Sequence, residues 1–432
     1  MRTVAFKTFG CRLNQAETVA FEQAFAAAGF RRVRFGEPAE VVVVHSCVVT
    51  QTAENECLRQ LRTLRRKWPT VRLVLSGCAA EAVPQERLLA VPQERLLAAG
   101  ADLVVGRAQR EVLVQRVLER WPTPPEGLER QMPVTRASPP RRSHRALLKV
   151  QDGCDFFCAY CIVPHTRGGP VSRPLEICLR DAAAMIAEGY REIVVTGCNI
   201  ACYADGSRGL VDLLSALSAL PGLGRLRLGS IEPGTVEGAV AEWMASSEKI
   251  CKFLHLPIQS GDDGVLARMG RRYTSAQVID TVRRARALMP DAAFGADVIC
   301  GFPGESDDAF ERTLHAVAEA GFSNLHVFPY SERPGTPACT FDGSVPVAVR
   351  RQRAKRLIAQ GDAQREAFAH RFLGQRVEVL VERFDREGRA CGWSGEYLPC
   401  AVSGVPRERV GDLCVFTVEK VCGTTLVGSA IG

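Results

Sequence analysis

The sequence predicts an α/β protein in three parts: an open parallel α/β domain over residues 1–120, a central partial (β/α)6 barrel over 144–366, and a small antiparallel β-barrel over 367–432. Three observations carry this expectation. Strand-like runs alternate with helix-length amphipathic segments through the first two parts. A stretch rich in Pro and Arg, residues 121–143, reads as a linker between them. Beyond residue 367 short alternating runs with glycine-rich turns take over. The chain has 432 residues, room for about three cores, and its 46% hydrophobic and 24% charged residues are those of an ordinary globular protein.

In the first part the strand-like runs VAFKTFG, VVVVHS and VRLVLSG each end directly on a cysteine: Cys11, Cys47 and Cys78. The gaps between them match one strand-helix-strand unit, so a parallel sheet would bring all three to the same carboxyl edge, where ligands of open α/β sheets collect. The set points to an iron-sulfur cluster with one iron unclaimed, and three separate buried thiols are the alternative. Cys57 lies off the pattern. The octapeptide VPQERLLA at 83–90 is repeated at 91–98. Eight residues make about 2.2 helical turns, and Pro92 would break a continuing helix, so the repeat reads as a tandem duplication looped or kinked out, and its loss is expected to be harmless. The linker that follows offers arginines to RNA phosphate.

The second part shows six strand signals, RALLKV, REIVVTG, RLRLGSI, FLHLPIQ, AFGADVICG and NLHVFPYS. Six β/α units argue for a parallel barrel too short to close, with a mouth wide enough for a large substrate. Directly after the first strand comes GCDFFCAYC, holding Cys154, Cys158 and Cys161. Three thiolates at this spacing can hold one iron-sulfur cube and leave its fourth iron open to a reactant. A zinc knuckle with His165 as fourth ligand is the alternative. At the other strand ends stand Asn199, Glu232, Gln259, Tyr330 and Ser331, each by itself a cap or turn residue and together a pocket rim. Gly197 suits a close backbone approach to a ligand. The loop Gly301 to Ser306 could receive a phosphate or carboxylate, whereas Cys198 and Cys202 are expected to be neither ligands nor nucleophiles.

The third part reads as a β-barrel of the size that binds oligonucleotides, with Arg371, Arg376, Arg383, Arg386 and Arg389 supplying charge to a nucleic acid or to a solvated face. The net charge of +7 is compatible with a polyanionic partner without requiring one. Seventeen cysteines with no secretion signal indicate a reducing compartment. No apolar stretch reaches the roughly 18 residues of a membrane span, so no membrane partner and a cytoplasmic location are expected.

The cysteine loop resembles the signature of the radical SAM superfamily. Together with TFGCRLNQAE at Cys11, SGC at Cys78, SIEP, HLPIQSG and DVICGFPGE, the chain resembles the radical SAM methylthiotransferases over almost its whole length, with a terminal barrel of the TRAM type. The resemblance implies replacement of an unactivated C–H by C–S–CH3 with two [4Fe-4S] clusters and two molecules of S-adenosylmethionine. Cys154, Cys158 and Cys161 would hold the cluster that cleaves S-adenosylmethionine, with Tyr160 against the adenine and Gly197, Asn199, Glu232 and Gln259 in the cofactor pocket. Cys11, Cys47 and Cys78 would hold the cluster that carries sulfur. The motif GCRLNQAE, with Asn14, Gln15 and Glu17, is similar to the subgroup acting on N6-threonylcarbamoyladenosine at position 37 of tRNA. Implied partners are the tRNA anticodon loop, a low-potential electron donor and a sulfur donor. Departures from the family pattern are the duplicated octapeptide, Cys198 and WSGEYLPC in the terminal barrel. Rival readings are the same chemistry on isopentenyladenosine tRNA or on a ribosomal protein side chain, and a non-catalytic iron-sulfur protein that binds RNA as a redox sensor.

Overall fold

A computed structural model describes residues 2–80, 93–122, 143–236 and 238–431. The chain forms two compact units. One comprises Met1–Arg141 with two later segments, Gly153–Gly169 and Ser331–Cys339; the other comprises Arg142–Asp152, Pro170–Tyr330 and Thr340–Gly432.

The first unit is built on five parallel strands, β1 (Thr3–Thr8), β2 (Arg31–Arg32), β3 (Val41–Ser46), β4 (Arg72–Gly77) and β5 (Leu103–Val105), in the order β2-β1-β3-β4-β5. The unbroken valine run of β3 is buried along its whole length, as a central parallel strand with both faces covered must be. One face packs Val42, Val44 and Leu75 against Leu58 and Leu61 of the helix Gln51–Lys67. The other packs Val41, Val43 and Val74 against Phe21 and Phe25 of the helix Arg12–Ala27.

The first copy of the repeated octapeptide, with Val91 and Pro92, lies outside the described residues, as do residues 123–142 of the linker. The described part of the second copy is packed and not looped out, and its helix starts after Pro92. Gln93–Ala98 is a helix, and its Leu96, 1% exposed, is part of the sheet's core.

In the second unit, β6 (Arg145–Lys149) is followed by a short antiparallel pair, β7 (Gln151–Asp152) with β8 (Val171–Ser172). The chain leaves the unit between these two and returns through them. Then come β9 (Glu192–Thr196), β10 (Arg225–Leu228), β11 (Phe253–Gln259), β12 (Ala293–Cys300) and β13 (Asn324–Pro329). They form two parallel three-stranded sheets, β10-β9-β6 and β11-β12-β13. Parallel bridges Leu226 to Ile250 and Ser230 to His255 join them. All six expected strands are therefore present in chain order as a partial (β/α)6 barrel.

The terminal barrel closes through β14 (Arg376–Phe384), β15 (Ala390–Ser394), β16 (Pro399–Ser403), β17 (Leu413–Cys422) and β18 (Thr425–Ala430), in the order β14-β15-β16-β18-β17. It is not wholly antiparallel, because β16 and β18 close it as a parallel pair. Glu192 at the start of β9 is fully buried between Arg225 and Arg227, and the guanidiniums also donate to the backbone oxygens of Trp393, Ser394 and Gly395. The rings of Trp393 and Tyr397 stack at 4.8 Å, and Tyr397 stacks on Phe253 at 5.0 Å. The divergent WSGEYLPC stretch is thus occupied in holding the barrel to the strands it follows.

Replacing Leu96 by Ala should lower the stability of the N-terminal unit by about 2–5 kcal/mol, the usual cost of a buried Leu-to-Ala cavity. A urea midpoint unchanged from wild type would show that the repeat does not contribute to the core.

Candidate metal centres and the network beneath them

Strands β1, β3 and β4 are neighbours in the sheet, with Thr8 opposite His45 and Ser46 opposite Gly77. Cys11, Cys47 and Cys78 follow these strands by one to three residues and therefore emerge at one carboxyl edge. Local chemistry explains the Gly-Cys pairs. Gly10 (φ +95°) and Gly77 (φ +96°) occupy the left-handed region, which glycine enters without a Cβ penalty. A Cβ on Gly10 would stand 2.8 Å from Cys47 Sγ, and one on Gly77 would stand 2.4 Å from the Ser46 carbonyl oxygen. Cys11 caps the helix Arg12–Ala27, and Cys78 opens the 3-10 turn Cys78–Ala80.

Cys47 and Cys78 are buried and Cys11 is exposed. Burial pushes the Cys47 thiol up to about 11, with Cys78 and Cys11 adding to the rise and Arg167 opposing it. Three soft sulfurs within electrostatic range, one of them costly to ionise alone, suit a metal centre, since a bound cation deprotonates a coordinating thiol outright. This donor set fits an iron-sulfur cluster.

The second cysteine set lies on the segment Gly153–Gly169, which packs as part of the first unit. Its neck is tight. Cys154 N donates to Gly168 O at 2.9 Å, and a Cβ on Gly153 (φ +74°) would come within 2.0 Å of Gly169 O. Cys161 N donates to Cys158 O at 2.9 Å, making the turn that carries Tyr160. His165, the alternative zinc ligand, sets its ring edge-on to Phe157 at 5.7 Å between centroids. Ile162, next to Cys161, enters the core that also holds Val44, Leu75 and Cys78. Both three-cysteine sets therefore belong to one compact unit, although more than 70 residues of sequence separate them.

Beneath them lies a buried polar network. Glu17, on the helix that Cys11 caps, accepts from Arg167 Nη1 and Nη2 at 3.0 Å each, from Arg110 Nη1 at 2.9 Å and from His45 Nε2 at 2.9 Å. Arg167 Nη2 also donates to Asn14 Oδ1 at 2.7 Å, and Asn14 Nδ2 donates to the carbonyls of Phe9 and Ser46 at 2.9 and 2.8 Å. Burial alone would raise the Glu17 carboxyl, but the His45 hydrogen bond and the Arg167 and Arg110 charges hold it far below the usual carboxylate range. Burial lowers His45, so it stays neutral and donates its Nε2–H. A second contact of this kind joins Ser331–Cys339 to the helix after Cys47. Arg333 Nη1 donates to Glu54 Oε2 at 2.5 Å and to Gln51 Oε1 at 3.3 Å, and Ala338 N donates to Ala159 O at 2.8 Å.

Of the other residues expected at the site, Gly197, Asn199, Glu232, Gln259 and Tyr330 lie in the second unit and Ser331 in the first. A Cβ on Gly197 would meet Gln151 Oε1 at 2.8 Å, so the close approach seen there is to Gln151. The backbone N–H of Asn199 donates to Gln151 Oε1 at 2.9 Å, and its side-chain Oδ1 accepts from Ala201 N at 3.2 Å. Glu232 pairs with Arg271, and burial raises its carboxyl above the ordinary value. Gln259 follows an irregularity in the β11–β12 register and holds φ +66°, a strained setting for a residue other than glycine. In the loop Gly301 to Ser306, the Gly301 N–H already donates to Glu305 Oε1 at 2.8 Å, and Arg353 closes on the same oxygen at 2.6 Å. The loop's anion is its own glutamate. In the terminal barrel Arg389 pairs with Asp385 and Glu387, and just before it Arg371 pairs with Asp291.

Sequence reading did not foresee Arg167, Arg110 or Arg333, nor the cluster His255, Asp297 and His326 on β11, β12 and β13. There His255 Nε2 and His326 Nδ1 approach one Asp297 oxygen at 2.9 and 3.1 Å. One signal was available. Asn14 and Glu17 fall on the buried stripe of their helix with Leu13, Phe21 and Phe25, and polar groups in such a stripe require partners.

The radical SAM superfamily matches residues 148–317, and an uncharacterized protein family, UPF0004, matches residues 3–99. A threonylcarbamoyladenosine tRNA methylthiotransferase MtaB of Chlamydia pneumoniae is 36% identical, over 98% of this chain and 96% of its own length. The protein of the same name from Bacillus subtilis is 34% identical, over 97% and 94%. The chain belongs to the radical SAM methylthiotransferases. Also 36% identical, over 97% and 95%, is a tRNA-2-methylthio-N(6)-dimethylallyladenosine synthase of Novosphingobium aromaticivorans. The radical S-adenosylmethionine methyltransferase TsrM of Kitasatospora setae shares the fold with TM-score 0.56 at 15% identity, over 78% of this chain and 77% of that one. Membership makes this methylthiotransferase an enzyme that uses S-adenosylmethionine and a [4Fe-4S] cluster.

The charge on Glu17 has a consequence for acid stability. Its folded value lies far below the ordinary 4.5, so its contribution is complete above about pH 5 and is lost as pH falls. Glu17→Gln should flatten the loss of stability between about pH 5 and 3, read as urea midpoints; a slope as steep as wild type would mean that other groups carry it.

Proposed function

We propose that this methylthiotransferase acts on tRNA, converting N6-threonylcarbamoyladenosine at position 37 to its 2-methylthio derivative. The observation that carries the reading is the presence of two three-cysteine sets in one compact unit, in a chain similar from end to end to proteins named for that reaction. Cys154, Cys158 and Cys161 would hold the cluster that binds S-adenosylmethionine, and Cys11, Cys47 and Cys78 a second [4Fe-4S] cluster. When bound, the first supplies the electron that cleaves S-adenosylmethionine to a hydrogen-abstracting radical, and the second supplies the sulfur that a further S-adenosylmethionine methylates.

The chain's own residues provide the setting. Each set offers three thiolates and leaves one position for a reactant. Tyr160, Gly197, Asn199, Glu232 and Gln259 are the proposed contacts to S-adenosylmethionine. Residues 1–120 would carry sulfur, 144–366 generate the radical, and 367–432, a TRAM-type barrel, contact the tRNA anticodon loop, with 121–143 as linker. The reaction also needs a low-potential electron donor and a sulfur donor. Among the described residues no helix is long and apolar enough to cross a membrane, which supports a cytoplasmic enzyme. The dimethylallyladenosine reading has its own support in the equally similar Novosphingobium protein.

The test is mass spectrometry of nucleosides from tRNA incubated anaerobically with the reconstituted enzyme, S-adenosylmethionine, sulfide and dithionite. A methylthio form of threonylcarbamoyladenosine is expected; methylthiolation of the dimethylallyl nucleoside alone would replace this substrate with the other. Cys158→Ala should abolish 5'-deoxyadenosine formation, whereas Cys47→Ala should spare it and stop methylthiolation. Equal loss of cleavage in both would contradict the division of labour.

A further inference from the structure

We propose that Arg167 and Arg333 are positioning residues that register the radical-generating cysteine loop against the sulfur-carrying edge of the N-terminal sheet. The proposal rests on the cluster assignments above. Two segments of the barrel's own sequence, Gly153–Gly169 and Ser331–Cys339, belong to the N-terminal unit. Each brings one buried arginine, and each arginine meets a buried glutamate on a helix that starts just after a sulfur-edge cysteine. Arg167 meets Glu17 on the helix capped by Cys11, and Arg333 meets Glu54 on the helix that begins four residues after Cys47. The two segments are tied to each other through Ala338 N and Ala159 O, one residue from Cys158.

These contacts are poor candidates for general stabilisation. Burying two ions costs about as much as their attraction returns, and a well-packed apolar pair often serves better. Their distinctive property is direction. A guanidinium fork that donates to both oxygens of one carboxylate and to the Asn14 amide oxygen permits one placement of Arg167, and hence of the helix Val163–Arg167 that follows Cys161. The same Asn14 fastens the turns before Cys11 and Cys47 through the carbonyls of Phe9 and Ser46. Asn14 and Glu17 of the N-terminal fingerprint are both buried, so they act on the geometry between the two centres and not by touching the nucleoside. Radical and sulfur must meet at one substrate carbon, and a misplacement of about 1 Å can cost about 10²-fold in rate.

The experiment compares wild type with Arg167→Lys and Arg333→Lys, which keep the charge and lose the fork, in reconstituted full-length enzyme. Iron and sulfide per chain and 5'-deoxyadenosine yield are expected to stay within about twofold of wild type. Methylthio nucleoside formed per 5'-deoxyadenosine should fall by at least about tenfold, and the spin-spin broadening in the EPR spectrum of the two reduced clusters should change. If Arg167→Lys fails to fold, Arg333→Lys carries the test alone, because it leaves the Glu17 contacts intact. An unchanged product ratio with an unchanged EPR spectrum overturns the positioning role. Loss of bound iron in proportion to product also overturns it, since the arginines would then only hold the fold together. If wild type itself shows one cluster or no methylthio product, the underlying assignment fails, and this is distinguishable from either outcome.

Discussion

Glu17 is a carboxylate placed where water does not reach it, and that burial obliges the chain around it to supply charge and hydrogen bonds. His45 answers from β3, Arg110 from the segment after β5, and Arg167 from a segment 150 residues further along. Each partner belongs to a different stretch of backbone, so satisfying one carboxylate draws together the sheet edge, its flanking helices and the loop of the second cysteine set. An incomplete set would leave an ion uncompensated in a medium of low dielectric, a state several kcal/mol worse than the complete one. The geometry of both cysteine sets depends on this constraint.

The parts of the fold governed by local pattern were legible. A β-branched run such as VVVVHS reads as a buried strand, and Gly-Cys at the ends of β1 and β4 marks the sharp turns that deliver Cys11 and Cys78. The six barrel strands announce themselves by the same apolar rhythm, and the spacing of Cys154, Cys158 and Cys161 resembles the radical SAM signature, whose family model matches residues 148–317. What escaped is what depends on distant partners. Nothing local in GCRLNQAE says that Asn14 and Glu17 face Arg167, and nothing near Arg333 says that it meets Glu54. The parallel closure of β16 on β18 is a property of the whole barrel, absent from either strand's pattern. The place of Leu96 in the sheet's core likewise depends on distant partners that the duplicated segment does not announce.

The division of the chain also differs from the order of its sequence. A boundary drawn through the Pro-rich linker assigns the loop of Cys154, Cys158 and Cys161 to the barrel, yet packing gives it to the N-terminal unit. Chemistry that unites a substrate radical with sulfur gains from this arrangement. Two cysteine sets held in one compact unit need not find each other by diffusion, and the entropy of their encounter is settled during folding. Proteins named for two different nucleosides are each 36% identical to the chain, so the shared architecture goes with the reaction common to them.

The central claim, that two separate iron-sulfur centres occupy the two cysteine sets, is tested most directly by iron and acid-labile sulfide analysis with Mössbauer spectroscopy. The samples are wild type and two triple variants, Cys11, Cys47 and Cys78 to Ala in one and Cys154, Cys158 and Cys161 to Ala in the other. About eight iron atoms per chain are expected in wild type and about four in each variant, all as [4Fe-4S]. About four iron atoms in wild type, all retained when Cys11, Cys47 and Cys78 are removed, would contradict it.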